Sequence, residues 1–275
     1  MSGGGGAGRV GPATRLLGLL GGPGVRRSRS PAIQNAALSA LGVDARYACF
    51  DVAVGAVGDA VRGARALGFL GLNVTMPHKE EAFAQADVWD DATAAIGACN
   101  TLRFAEGRII ARNTDAPAIT DVLGADLPGS DAVVLGAGGS ARAAAYALRA
   151  GGARRVRVLA RDLAKADFAV LLGVEAAPFS AEGLVGATVI VSCVPPGAAL
   201  ELSGALPGAR FLDLVYQEES ALLLGARAAG MRAEDGLEVL VRQAWHALRI
   251  WLEVAPPIDV MRAAARGGAH EPTRS

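Results

Sequence analysis

Short apolar runs alternate along the chain with stretches whose apolar residues recur every three or four positions. The short runs predict strands over 16–20, 46–50 and 69–74, then a hairpin of 101–104 and 108–111 around Glu106-Gly107. A second series follows at 132–135, 156–160, 188–193 and 211–215. The periodic stretches predict helices over 31–41, 57–67, 79–85, 140–150 and 220–229. A last long helix starts near Leu237, with Leu240, Val241, Ala244, Leu248, Trp251 and Leu252 on its buried face. Strands alternating with helices predict the α/β class.

The loops change character between Asp115 and Ser130. Before this point they carry Ser, Thr, Asn and Lys; after it a glycine-rich turn opens a βαβ series. This predicts two domains, 14–114 and 115–235, with C-terminal helices over 236–266 that return to pack on the first.

Composition narrows the function classes. With 52% hydrophobic and 20% charged residues, the bulk of the chain has the means to fold. Lys+Arg and Asp+Glu both number 27, and a zero net charge without a basic block argues against a nucleic-acid partner. No apolar run reaches the roughly 18–20 residues that span a bilayer, so no membrane partner is expected either. Residues 16–20 follow Arg15 like the core of a secretion signal, but the run is short and broken by Gly21 and Gly22, which fits a buried first strand. Cys49, Cys99 and Cys193 are too far apart for a disulfide framework or a metal pattern, which points to the reducing cytoplasm. Only Lys79 and Lys165 of the basic residues are lysines, and only four asparagines occur: Asn35, Asn73, Asn100 and Asn113.

The strand 132–135 runs into Gly136-Ala137-Gly138-Gly139-Ser140-Ala141, a G-x-G-x-x-A turn that opens an alanine-rich helix. Gly136 permits the tight turn, Gly138 lets the backbone approach a pyrophosphate, and Ala141 keeps helix and sheet close. The helix N-terminus then offers N–H groups to phosphate. The competing reading is a tight βα turn without a ligand. At the end of the next strand, Arg161 and Lys165 favour the 2′-phosphate of NADP, whereas Asp162 is the kind of acid that takes the ribose hydroxyl of NAD. If Asp162 caps the helix after it, the two cations prevail.

In the first half, Ser28 and Ser30, then Asn73, Thr75 and Lys79, then Asn100 and Thr101, then Asn113, Thr114 and Asp115 lie at or just beyond strand ends. That rim is where open α/β sheets bind ligands. Hydroxyls, amides, one ammonium and one carboxylate suit a small polyhydroxylated acid. Pro77, at the first position of a helix, would hold Lys79 near the strand end. Blander readings exist: Ser30 and Asp115 as helix caps, Lys79 as solvated charge, His78 as a surface or packing residue.

With these motifs in this order, the sequence resembles the shikimate dehydrogenase family. The resemblance rests on Ser28-x-Ser30-Pro31, Asn73-Val74-Thr75-x-Pro77-x-Lys79, Gly97-Ala98-Cys99-Asn100-Thr101, Asn113-Thr114-Asp115, the glycine turn, Asp213-Leu214-Val215-Tyr216, Asp235-Gly236-Leu237 and Gln243-Ala244. It implies an N-terminal substrate-binding and catalytic domain, a Rossmann-like NADP-binding domain, and reversible reduction of 3-dehydroshikimate to shikimate in aromatic amino-acid biosynthesis. It further implies Lys79 and Asp115 as the catalytic pair and Ser28 and Ser30 on the substrate carboxylate. Thr75, Asn100, Tyr216 and Gln243 would hold the ring and its hydroxyls. Asp91, Gly136, Ala137, Gly138, Gly139, Ser140, Arg161 and Lys165 would bind the cofactor, with Leu214 and Gly236 near its nicotinamide. The chain departs from the family pattern at Arg27 and Gln34, where histidines are usual, at Ala116 and Glu238, where glycines are usual, at Ala160-Arg161-Asp162 in place of Asn-Arg-Thr, and near Ser192, where an asparagine is missing. An NAD-dependent quinate/shikimate dehydrogenase and a non-catalytic ligand-binding relative stay open as alternatives.

Overall fold

The computed structural model describes residues 10–267. The chain forms two compact units, one holding residues up to 88, 100–111 and 244 onward, the other 89–99 and 112–243.

The first unit is built on a five-stranded sheet of β1 (Arg15–Gly21), β2 (Ala45–Asp51), β3 (Gly71–Val74), β4 (Thr101–Ala105) and β5 (Arg108–Arg112), in the order β2-β1-β3-β4-β5. β1 runs parallel to both neighbours, and β4 is antiparallel to β3. Leu17, Leu19 and Leu20 are all buried, as a central strand covered on both faces requires. The hairpin expected at Glu106-Gly107 is present, with both residues in the left-handed region (φ 52° and 72°) that a two-residue turn of matching twist demands. Its helices are α1 (Ser30–Ala40), α2 (Val57–Ala66) and α3 (Lys79–Phe83).

The chain from Ala244 onward, the later part of the last long helix and the helix after it, belongs to this unit. Within α9 (Leu237–Leu252), Trp251 Nε1 donates to Leu102 O at 2.9 Å. The indole lies where a side chain at position 71 would stand: a Cβ on Gly71 would come 2.2 Å from Trp251 Nε1 and 2.3 Å from Leu102 O. α10 (Ile258–Gly267) packs on α1, and Arg29 Nη1 donates to Ala265 O at 3.0 Å.

The second unit carries an all-parallel sheet of β6 (Asp131–Leu135), β7 (Arg155–Ala160), β8 (Glu175–Pro178), β9 (Val189–Ser192), β10 (Arg210–Asp213) and β11 (Arg232–Glu234), in the order β11-β10-β9-β6-β7-β8. The first strand sits mid-sheet and the chain winds outward from it in both directions, the doubly wound dinucleotide-binding order. Its helices are α4 (Asp91–Ile96), α5 (Asp115–Leu123), α6 (Gly139–Ala150), α7 (Phe168–Leu172) and α8 (Ala221–Ala228). One face of the sheet buries Val134, Val158 and Val191 against Ile119 and Leu148; the other buries Leu135, Ile190 and Phe211 against Leu222 and Leu223. Alanines 141, 143, 144, 145 and 147 let α6 lie close to its neighbours.

Several element limits differ from the sequence reading. Helix 79–85 stops at Phe83, and the strand expected over 211–215 ends at Asp213. β8, β11, α4 and α7 carry no apolar periodicity that would announce them. No helix among the described residues is long and apolar enough to cross a membrane.

Candidate functional site

In the first unit the chain leaves β1 for β2 on one side and then crosses to β3 on the other. The carboxyl ends of β1 and β3 therefore flank a topological switch, the position where open sheets take ligands. Because β4 is antiparallel, its first residues come to the same rim: Asn73 stands opposite Thr101.

Glycines at the end of β1 make this rim tight. A Cβ on Gly21 would lie 2.6 Å from the Thr75 methyl, and one on Gly22 would lie 2.9 Å from Pro77 Cδ. After a short 3-10 turn, the Ser28 hydroxyl donates to Ser30 Oγ at 3.0 Å and accepts the Ser30 N–H at 3.2 Å. The reading of Ser30 as a cap is corrected here. The helix begins at Ser30 itself, and Arg29 before it already has helical backbone (φ −78°, ψ −7°). Ser30 is buried and Ser28 half-buried, with their hydroxyls side by side.

Beyond β3 the Thr75 N–H is held by Leu20 O (2.8 Å). The Met76–Pro77 bond is cis. Pro77 was expected to open the helix, but α3 starts two residues later at Lys79, so Pro77 shapes the turn instead. His78 is a packing residue: it is buried and its Nε2 lies 2.8 Å from Val52 O, which it can only approach as a donor. Lys79 is half-buried at the first position of α3.

The polar rim rests on a buried network centred on Asn73. Its Nδ2 donates to Asn100 O and to Thr101 Oγ1, both at 3.0 Å, and its Oδ1 accepts from the Tyr47 hydroxyl at 2.8 Å. The Thr101 hydroxyl donates to Asn100 Oδ1 at 3.2 Å, so the side chain of Asn100 is itself oriented. Tyr47 comes from β2, whose backbone is clasped by both ends of the Asn35 amide at 2.9 Å. Tyr47 sits in an ordinary strand pattern that gives no hint of this partner. Gln34, where the family pattern has histidine, donates weakly to Ala244 O at 3.4 Å.

In the second unit, Asn113 rather than Asp115 caps α5. Its Oδ1 accepts the N–H groups of Asp115 and Ala116, both at 3.1 Å, while its Nδ2 donates to Ala98 O. Asp115 is the first helical residue and is buried, so the capping alternative for it is also corrected. Asp91 is exposed at the start of α4, where the cap is Asp90, accepting from Thr93 N–H at 2.8 Å.

Gly136 needs its glycine on two counts: φ is 112°, and a Cβ would meet Cys193 O at 3.3 Å. Gly138 differs, since a Cβ there would stand in open space. α6 starts at Gly139 without a side-chain cap, so Ala137, Gly138, Gly139 and Ser140 form an N-terminus suited to phosphate oxygens. Arg161 is exposed, its guanidinium 5.5 Å from the centre of the Phe179 ring. Asp162 does act as a cap: Oδ1 accepts the Ala164 N–H at 3.1 Å, and the capped element is a 3-10 turn over 163–166 that carries exposed Lys165. Arg161 and Lys165 both stand exposed beside this capped acid.

Tyr216 and Leu214 are half-buried beyond β10. Gly236 is pressed on Leu214, where a Cβ would come 2.4 Å from Leu214 O. Gln243 is buried on α9 and donates to Leu240 O at 2.8 Å. Nearby, burial pushes the Glu234 carboxyl above its usual range, against the pull of Arg210.

Comparison with known proteins bears on this arrangement. Residues 20–102 match the model of the shikimate dehydrogenase substrate binding domain, and residues 236–266 that of the shikimate 5'-dehydrogenase C-terminal domain. A shikimate dehydrogenase (NADP(+)) of Anaeromyxobacter dehalogenans is 43% identical over 93% of this chain and 98% of its own. One from Symbiobacterium thermophilum is 39% identical over 91% and 93%. Among solved structures, a shikimate dehydrogenase in complex with NADP+ superposes with a TM-score of 0.85 at 29% identity, covering 96% of this chain and 98% of that one. The shikimate 5-dehydrogenase of Thermus thermophilus in complex with shikimate gives 0.83 at 34% identity, covering 92% and 98%.

Proposed function

Since this chain belongs to the shikimate dehydrogenase family, we propose that it catalyses the NADP-dependent, reversible reduction of 3-dehydroshikimate to shikimate. The observation that carries this reading is the rim of the first unit. Ser28, Ser30, Thr75, Lys79 and the buttressed Asn100 gather on the segments that leave β1 and β3 and enter β4. They form a set of donors and acceptors matched to a hydroxylated ring acid.

Ser28 and Ser30 donate to the substrate carboxylate. Thr75, Asn100, Tyr216 and Gln243 take the ring and its hydroxyls. Lys79 gives a proton, and a nearby positive charge, to the ring oxygen as that oxygen becomes an alkoxide. Asp115 is the acidic member of the catalytic pair that the family motif implies. Gly136 to Ser140 hold the pyrophosphate, Arg161 and Lys165 the 2′-phosphate, with Asp91 assisting and Leu214 and Gly236 at the nicotinamide end. When bound, NADPH supplies the hydride; the protein binds, orients and protonates. The open space at Gly138 and the uncapped start of α6 fit such a group. We place the enzyme in the cytoplasm and its reaction in aromatic amino-acid biosynthesis.

Steady-state rates with shikimate and quinate, each against NADP and NAD, test the reading. Shikimate with NADP should give the highest kcat/KM; equal rates with NAD at low salt would overturn the cofactor assignment, and a preference for quinate the substrate. Arg161→Ala should weaken NADP and leave NAD nearly unchanged, because a planar guanidinium binds phosphate with two parallel hydrogen bonds. The NADP preference should also shrink as salt rises.

Ser28 and Ser30 can be told apart. Either alanine variant should raise the KM for shikimate by a factor worth ~1–3 kcal/mol, the range for a hydrogen bond to a charged group. Ser30 is not a cap, so Ser30→Ala should keep its melting temperature. Ser28→Ala also loses an acceptor for a helical N–H and should cost about 1 kcal/mol of stability. Unchanged KM in both variants would remove the carboxylate from this site.

A further inference from the structure

We propose that Asp213 is a positioning residue: its buried carboxylate, clamped to the Ser220 hydroxyl, closes the loop 214–219 and fixes Tyr216 at its base. The functional half of this proposal rests on the assignment of Tyr216 to the substrate.

Asp213 is the last residue of β10 and is wholly buried. It shares a sheet face with Phe211 two residues earlier, in the layer that also holds Leu135, Leu222 and Leu223. A carboxylate in such a layer is costly unless its oxygens are satisfied. Both are. Oδ2 accepts from the Ser220 hydroxyl, and Oδ1 accepts the Val215 N–H at 3.2 Å. Ser220 in turn caps α8, accepting the Leu223 N–H at 3.0 Å. Opposite Asp213 in the parallel register stands Ser192, whose Oγ is buried and has no hydrogen-bond partner. A polar cluster therefore sits at the ends of two adjacent core strands, where well-packed apolar side chains would serve burial at least as well. Directional bonds add what apolar contacts do not, a fixed geometry for the backbone beyond the strand.

Hydrogen bonds tether that backbone through Val215, and near the other end Glu219 pairs with Arg227. The Leu214 N–H reaches Ser192 O at 2.9 Å, and Val215 O accepts the Gly236 N–H at 3.0 Å. Tyr216 is the next residue, half-buried, and Gln217, Glu218 and Glu219 beyond it are exposed. The other end of the loop is Ser220. The carboxylate-hydroxyl bond joins the two ends, so the course of the chain through Tyr216 is set by a clamp that touches neither ligand.

The chain has three tyrosines, Tyr47, Tyr146 and Tyr216, so uniform 3-fluorotyrosine labelling should give three fluorine resonances, and Tyr216→Phe identifies one of them. In the full-length Ser220→Ala protein without ligands, the Tyr216 resonance should shift or broaden while the other two hold. The KM for shikimate should rise about tenfold with a smaller change in kcat. Ser220→Thr keeps the hydroxyl and should restore both. In the double variant with Tyr216→Phe, KM should be no higher than in the worse single variant, because both changes remove one interaction. If Ser220→Ala does not fold, Ser220→Gly removes the same hydroxyl at a smaller cost to the cap. A Tyr216 resonance unmoved by loss of the hydroxyl overturns the clamp, as do KM effects that multiply. A resonance that moves while KM holds overturns the assignment of Tyr216 to the substrate and leaves the clamp standing.

Discussion

Lys79→Ala is expected to lower kcat by about 10²–10⁴, the usual contribution of a positioned general acid. Reduction of a ring ketone builds negative charge on oxygen, and a single ammonium can both stabilise that charge and neutralise it. KM should change far less, since the proposed site gives the carboxylate and ring hydroxyls to other side chains. Lys79→Arg should fail almost as badly. A guanidinium does not release its proton at any working pH and is wider and flatter than an ammonium. The composition is informative here: this chain uses arginine at every basic position except Lys79 and Lys165. Asp115→Asn should also lower kcat, because it removes the carboxylate of the proposed catalytic pair. Single-turnover rates of the three variants check all of this, and near-normal turnover in Lys79→Arg would remove the proton-donor role.

The second large effect concerns stability. Gly71→Ala should cost about 3 kcal/mol, the upper part of the range for overpacking a close-packed site. The new Cβ would face Trp251 Nε1 at 2.2 Å and Leu102 O at 2.3 Å. One is part of a rigid ring and the other is backbone in β4, so neither yields like the end of a flexible chain. The Trp251–Leu102 hydrogen bond must also stretch, leaving a buried N–H and C=O poorly matched. For a chain of this size the loss corresponds to a melting temperature lower by roughly 6–12 °C. A melt within ~2 °C of the parent protein would mean that the indole has another place to go.

Both strand series, the hairpin and the long last helix were legible because each has enough apolar residues to show a period. β8 and β11 were not. They are edge strands with Glu175 and Pro178 in one and Arg232 and Glu234 in the other, recognisable only by their pairing. α4 and α7 are too short to display a face. At the candidate site, rare asparagines and lysines marked the rim, yet roles within it were less visible. Asp115 read as a possible cap, and only the folded backbone shows that Asn113 is the residue that accepts the helical N–H groups. Tyr47 lies far in sequence from the Asn73 it supports, and no local pattern encodes a contact between two strands. Asp213 left a trace, a lone charge inside the apolar run 211–215, but its partner Ser220 looked like any helix start.

The notch at Gly71 has a consequence for biosynthesis. Its strand leaves the ribosome in the first third of synthesis, while the indole that fills it and the Ala265 carbonyl that receives Arg29 lie near the end of the chain. The second unit, by contrast, comprises residues 89–99 and 112–243 and so precedes them in the chain. The nucleotide-type sheet can therefore mature on the nascent chain while the older sheet waits with an open seam. Chains that end before Trp251 and are held on the ribosome by an added C-terminal linker long enough to clear the exit tunnel should resist protease over 112–243 and remain sensitive in the N-terminal segment.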